Sequence, residues 1–133
     1  MLDCMIIGDS IAVGVHQHRS ECISYAKTGI NSQHWNQLYL QNNLRAKTVI
    51  ISLGSNDHAA IRTRAELQRI REKVGTGVRV FWIMPAIKPE IQEIVDQMAL
   101  DYGDIVVPFF KQLSKDGLHP NSAGYRKLAE MTK

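Results

Sequence analysis

Thr48-Val49-Ile50-Ile51-Ser52-Leu53 carries apolar side chains at both odd and even positions. A strand with one wet face alternates apolar and polar residues, so this run belongs inside a sheet covered on both sides, as parallel sheets are. The run extends over about 47–53, and similar Ile- and Val-rich runs at about 4–8, 22–26, 78–84 and 105–107 end at Gly, Pro or polar residues, which predicts further strands. Helical spacing fills the gaps between them. Asn31 to Arg45 places Trp35, Leu38, Tyr39 and Leu44 on one face; Thr63 to Val74 does the same with Leu67, Ile70 and Val74, and Pro89 to Leu100 with Ile91, Ile94, Val95 and Met98. A last helix is expected to begin at Pro120, a residue suited to a first helical position, with Tyr125, Leu128, Ala129 and Met131 as its apolar stripe. Strands and helices in alternation predict an α/β fold: a three-layer α/β/α sandwich around a central parallel sheet of about five strands.

At 133 residues, 44% hydrophobic and 22% charged, the chain is the size and composition of a single domain, expected over 1–133 with no linker, repeat or low-complexity segment. No apolar run approaches the roughly 18 residues of a membrane span. The net charge is +3, but the 16 Lys and Arg residues are dispersed among 13 acidic ones. A nucleic-acid partner is not expected, because such binders gather basic residues on one element and interleave aromatics. The nearest approach to a cluster, Arg62, Arg64, Arg69, Arg71 and Arg79, reads as a solvated helix face. The charge selects no oligomeric state. Cys4 and Cys22 fall on the first two predicted strands, outside any metal-like spacing, and are expected as buried thiols; a disulfide would require those strands to be neighbours. The N-terminal residues lack the pattern of a secretory leader, so the expected setting is cytoplasmic and reducing.

In a parallel sheet, ligands bind beyond the carboxyl ends of the strands, and four short segments fall at that edge. Gly8-Asp9-Ser10 follows the first strand, Thr28-Gly29 the second and Gly54-Ser55-Asn56-Asp57 the third, while Asp116-Gly117-Leu118-His119 precedes the last helix. Ser10 is a candidate nucleophile. A serine hydroxyl needs a base to take its proton, and His119 is a candidate for it, with Asp116 three residues earlier placed to orient the imidazole and stabilise its cation. The backbone N–H groups of Ser10 and Gly29 and the side-chain amide of Asn56 are candidate donors to an oxyanion. Each residue also has a plain reading: Ser10 as a helix cap, His119 and Asp116 as loop residues, Gly29 and Asn56 as turn formers. A Gly-Asp-Ser triplet alone arises by chance in roughly a few per cent of chains this long, so the ordered set of four carries the inference.

The set resembles the SGNH (GDSL-type) hydrolase superfamily, whose Ser, Gly, Asn and His match Ser10, Gly29, Asn56 and His119, with Asp116 at the acid of its Asp-x-x-His. The resemblance runs from Gly8 to the final helix. It implies a flavodoxin-like sandwich and hydrolysis of carboxylic esters through an acyl-enzyme, with no metal or organic cofactor. Ile11 stands where the family usually has leucine, a mild apolar change. Short connections suggest an open site suited to small acyl groups, such as an O-acetyl on a carbohydrate, so the expected partner is a small-molecule or glycan ester. Thioesterase or lysophospholipase action on the same triad is an alternative, because pocket shape decides the leaving group.

Two readings come from other classes. A receiver-type signalling domain would use Asp9 and Asp57 as a Mg²⁺ and phosphoryl-acceptor site; a fold relative without turnover would bind ligand only. Among the remaining conspicuous residues, His58 is read as a polar loop residue, His16, His18 and His34 form no metal-like set, Trp35 and Trp82 are core anchors, and Asp9 bonds the loops around the nucleophile.

Overall fold

The computed structural model describes residues Met1–Lys133. Five strands, β1 (Leu2–Gly8), β2 (Ile23–Ala26), β3 (Ala46–Ser52), β4 (Arg79–Ile83) and β5 (Ile105–Val107), form one sheet of order β2-β1-β3-β4-β5, every pair parallel. Five α-helices, α1 (Ser10–His16), α2 (Ser32–Tyr39), α3 (Thr63–Val74), α4 (Pro89–Tyr102) and α5 (Ser122–Met131), cover its faces. The fold is α/β in three layers.

Alternation along β3 decides which residues face which layer. Val49 and Ile51 join Met5, Ile7, Val80 and Trp82 in a core closed by α2, α3 and α4, whereas Ile50 joins Cys4, Ile6 and Phe81 in a second core under α1 and α5. This is the two-sided burial expected of Thr48-Val49-Ile50-Ile51-Ser52-Leu53. Each of these isoleucines stabilises the fold by about 1.5–3 kcal/mol through the apolar surface it removes from water. No helix is long and apolar enough to cross a membrane.

The strand order reverses direction at β1: the chain steps out to β2 and then returns to β3 on the other side. Such a switch point opens a crevice at the carboxyl ends of the strands. In the register, Gly8 faces both Ala26 and Ser52, so the loops after β1, β2 and β3 leave the sheet side by side.

Three local expectations are corrected. α2 ends at Tyr39, six residues before Arg45, because Gln41 and Asn42 turn their amides back onto the carbonyls of Leu38 and Tyr39, while Asn43 accepts from the Arg45 N–H. Polar side chains here compete with the helix for its own backbone; Leu44 still reaches the core, from a loop. Pro120 does not open the last helix. Asn121 caps α5 by accepting from Gly124 N, and Pro120 instead bridges back to Ser114. Cys4 and Cys22 are not separate thiols: they form a disulfide, with Cα atoms 4.8 Å apart, because β2 lies beside β1. Disulfides persist in oxidising compartments, so the cysteines lend no support to a reducing one.

Of the arginines read as a solvated face, Arg71 departs. It is buried and holds Asp104 through Nε and Nη2 at 2.7 and 2.9 Å, with its guanidinium over the Tyr102 ring. Trp35 and Trp82 are fully enclosed core anchors, as expected, and each indole N–H finds an acceptor, Tyr25 O and Asp104 Oδ2 respectively.

Candidate active site

Ser10 owes its position to the two residues before it. Gly8 ends β1 so close to β3 that a Cβ there would collide with the Ser52 carbonyl oxygen, and its φ of +149° lies outside the range that side chains favour. Asp9 N then donates to that carbonyl at 3.0 Å, while Asp9 Oδ1 accepts from Ile11 N at 3.0 Å and from Ser52 Oγ at 3.2 Å. Asp9, rather than Ser10, is therefore the N-cap of α1. Ser10 becomes the first helical residue, its hydroxyl free of capping duty and its N–H without an intrahelical acceptor.

The Ser10 hydroxyl meets His119. Nε2 of His119 lies 3.2 Å from Ser10 Oγ, and Nδ1 lies 3.1 Å from Asp116 Oδ2. An ionised carboxylate only accepts, so Nδ1 carries the proton of a neutral imidazole and Nε2 presents its lone pair to the hydroxyl. The loop that delivers this pair is built from short-range bonds. Asp116 Oδ1 accepts from the N–H groups of Leu118 at 2.9 Å and His119 at 2.7 Å, and Lys115 N donates to His119 O at 2.8 Å. Asn121 N donates to Leu113 O, which fastens the loop's far end.

The two carboxyls around this centre are pushed in opposite directions. Burial raises Asp9 to about 6, against the hydrogen bonds that it accepts; its Oδ2 is buried with no partner. Asp116 is held well below the usual carboxylate range, first by the His119 N–H, then by the His119 ring and the Leu118 N–H.

Gly29 is exposed in the turn after β2, and its N–H donates to no acceptor in the chain. Asn56 follows β3 in a turn closed by Asp57 N donating to Gly54 O at 3.0 Å. One N–H of its amide bonds the Ile30 carbonyl at 3.0 Å, which ties the turn to the residue after Gly29; a second N–H remains. Ser10, Asp116 and His119 are thus brought into one hydrogen-bonded chain, and Gly29 and Asn56 into two adjoining loops. Gly29 and Asn56 are exposed and the His119 side chain is 38% exposed, so the edge they share is open to solvent.

The role of Asp57 lies beyond its neighbourhood in sequence. It is 2% exposed, and its carboxylate accepts from Ser32 N at 2.8 Å, Ser32 Oγ at 2.6 Å and Thr63 Oγ1 at 2.7 Å, joining the starts of α2 and α3. A carboxylate so enclosed has no free oxygen for a phosphoryl group, which removes the receiver-type reading. The Gly54-Ser55-Asn56-Asp57 segment signals a turn, but nothing near Asp57 names its partners. Cys4, Cys22 and Glu21 lie within metal-ligand spacing of one another, but both sulfurs belong to the disulfide. His16 Nε2 is taken by the Cys22 carbonyl at 3.0 Å.

No family model and no curated protein matches the chain. Solved structures do. A lipolytic protein of the G-D-S-L family from Veillonella parvula superposes with a TM-score of 0.66 at 16% identity, over 98% of this chain and 95% of that one. The chain has the fold of that G-D-S-L family protein. The C-terminal catalytic domain of Streptococcus pneumoniae peptidoglycan O-acetyltransferase A, solved with a methylsulfonyl adduct, shares the same fold, with a TM-score of 0.61 at 18% identity over 96% and 88% of the two chains. On this frame the four segments of the chain lie at one sheet edge.

Proposed function

We propose that residues 1–133 act as one SGNH-type domain that hydrolyses carboxylic esters through an acyl-enzyme. The carrying observation is the continuous chain Ser10 Oγ, His119 Nε2, His119 Nδ1, Asp116 Oδ2, with links of 3.2 and 3.1 Å. In this reading Ser10 Oγ attacks the acyl carbon as its proton passes to His119 Nε2. The negative charge moves to the former carbonyl oxygen, which the N–H groups of Ser10 and Gly29 and the amide of Asn56 receive. The bond to the leaving oxygen then breaks as His119 returns the proton to it. Water repeats the sequence on the acyl-enzyme, releasing the acid and restoring the serine. Asp116 stays ionised throughout and favours the imidazolium formed in each half.

The open edge supports small acyl groups, such as an O-acetyl on a carbohydrate, over long chains that need a deep apolar pocket. The resemblance to an O-acetyltransferase domain favours a second reading, in which a second hydroxyl replaces water as acceptor. The Cys4–Cys22 bond favours an oxidising setting over a cytoplasmic one, and thiol trapping in intact cells tests which holds.

Labelling by a fluorophosphonate, with rates on p-nitrophenyl acetate and longer esters, tests the reading. Wild type is expected to label and to turn over acetyl esters fastest, and Ser10→Ala to do neither. Turnover equal in wild type and Ser10→Ala would overturn hydrolysis; equal rates on long and short esters would overturn the small-acyl assignment.

A further inference from the structure

Lys88 combines two unfavourable local features. It is the only non-glycine residue with positive φ, at +65°, a conformation that persists in a side-chain-bearing residue only when its surroundings enforce it. It also sets a cation at the N-terminus of α4, where the helix dipole disfavours positive charge. The side chain does not run out to solvent. Its Nζ donates to Ser55 O at 2.9 Å and to Asp57 O at 2.6 Å, the carbonyls on either side of Asn56.

The rest of α4's first turn presses on the same segment. A Cβ at Gly54 would stand 2.6 Å from Ile91 Cγ2, and the φ of Gly54 is +114°, so the turn lies directly against the helix. Asp57 is anchored through its side chain to α2 and α3. Asn56 itself is exposed and makes a single side-chain bond, to Ile30 O. An oxyanion donor is effective only if it is already aimed when charge develops, since reorientation during the reaction consumes the advantage. An exposed turn needs fixing from outside, and hydrogen bonds from an ammonium are roughly twice as strong as neutral ones.

We propose that Lys88 is a positioning residue for the oxyanion: it clamps the two carbonyls flanking Asn56 and so aims the Asn56 amide at the acyl oxygen. This rests on the assignment of Asn56 as a donor in a Ser10-dependent hydrolase. A tie that only stiffened the fold would change melting temperature and leave the chemistry of Asn56 untouched. A positioning role lowers kcat at nearly constant KM, and it does so through Asn56.

Four proteins test it on p-nitrophenyl acetate, with melting curves alongside: Lys88→Met, Lys88→Arg, Asn56→Ala and the double variant Lys88→Met/Asn56→Ala. Loss of the donor in Asn56→Ala is expected to lower kcat by roughly a hundredfold. Lys88→Met is expected to lower it by about ten- to fiftyfold, Lys88→Arg to recover part of that, and the double variant to fall no more than about twofold below Asn56→Ala, as coupled residues do. Should Lys88→Met fail to fold, Lys88→Gly, which relieves the backbone while deleting the ammonium, takes its place in every comparison. Full kcat in the Lys88 variant, or losses that multiply in the double variant, would overturn the positioning role while Ser10-dependent turnover in wild type stands. Wild-type turnover no faster than Ser10→Ala would instead overturn the hydrolase assignment, and the role of Lys88 with it.

Discussion

Asp9 precedes Ser10 in the chain and Asp116 is bonded to His119, and the protein treats the two as different acids. Asp9 is 1% exposed, caps α1 from beneath, and is driven up to about 6 by burial, with one oxygen unpartnered. The Asp116 side chain is 54% exposed and is held down by N–H groups of its own turn. Separation of two carboxyl pKa values by their environments marks division of labour. Asp9 shapes the backbone that presents Ser10; Asp116 is left ionised to face an imidazole. The difference also lies in range. Asp9 depends on Ser52, 43 residues away in sequence, whereas every bond that sets Asp116 lies within three residues.

The contrast is broken most severely at Asp116. Asp116→Asn keeps the side chain's shape but removes the charge that selects the tautomer, so kcat is expected to fall by roughly a thousandfold or more in steady-state assays. Its melting temperature should barely move, since the side chain is exposed. Parallel loss of stability would show that Asp116 is a structural residue like Asp9.

Asp9→Asn is the sharper test from the other side. Asn caps helices as well as Asp does, so α1 and the serine should keep their places and kcat should fall less than about tenfold. A loss as large as that of Asp116→Asn would place Asp9 in the chemistry.

Stability against pH separates the two carboxyls by a smaller effect. The Asp9 carboxyl is raised from 3.8 to about 6 in the folded state, so the native protein holds its proton longer than the unfolded chain does. Its contribution is fully present below the ordinary carboxylate pKa and is lost as pH rises to about 6, a change of about 3 kcal/mol at most. Asp116, lowered, acts with the opposite sign: its contribution is present above the ordinary range and is lost as pH falls below it. Denaturant melts of wild type and Asp9→Asn between pH 4 and pH 7 should therefore differ in slope, with the decline absent from the variant. Identical slopes would show that water reaches the Asp9 carboxyl.

Much of this was legible in the residues. Spacing alone marked the strands and most helix faces, because burial on a sheet face or a helix stripe imposes a period on the sequence. It marked α2 too long, because Leu44 continues the apolar pattern while Gln41 and Asn42 unmake the helix under it. Pro120 was misplaced for a similar reason: Asn121 is the stronger cap. Ser10, Asp116 and His119, which the structure joins by hydrogen bonds, were visible as types in order, and Asp116 with His119 even as a local turn.

What the chain determined by itself was therefore the short-range part: element types, the alternating cores of β3, and an Asp116–His119 turn that folds on its own hydrogen bonds. Only the tertiary structure decided the rest. It chose Asp9 as the cap and freed Ser10, set β2 beside β1 so that Cys4 and Cys22 bond, and gave Asp57 and Lys88 partners 25 and 31 residues away. The physical reason is that a side chain's local pattern records whether it is buried, but its partner, and hence its charge and its task, depends on which strand the topology lays beside it.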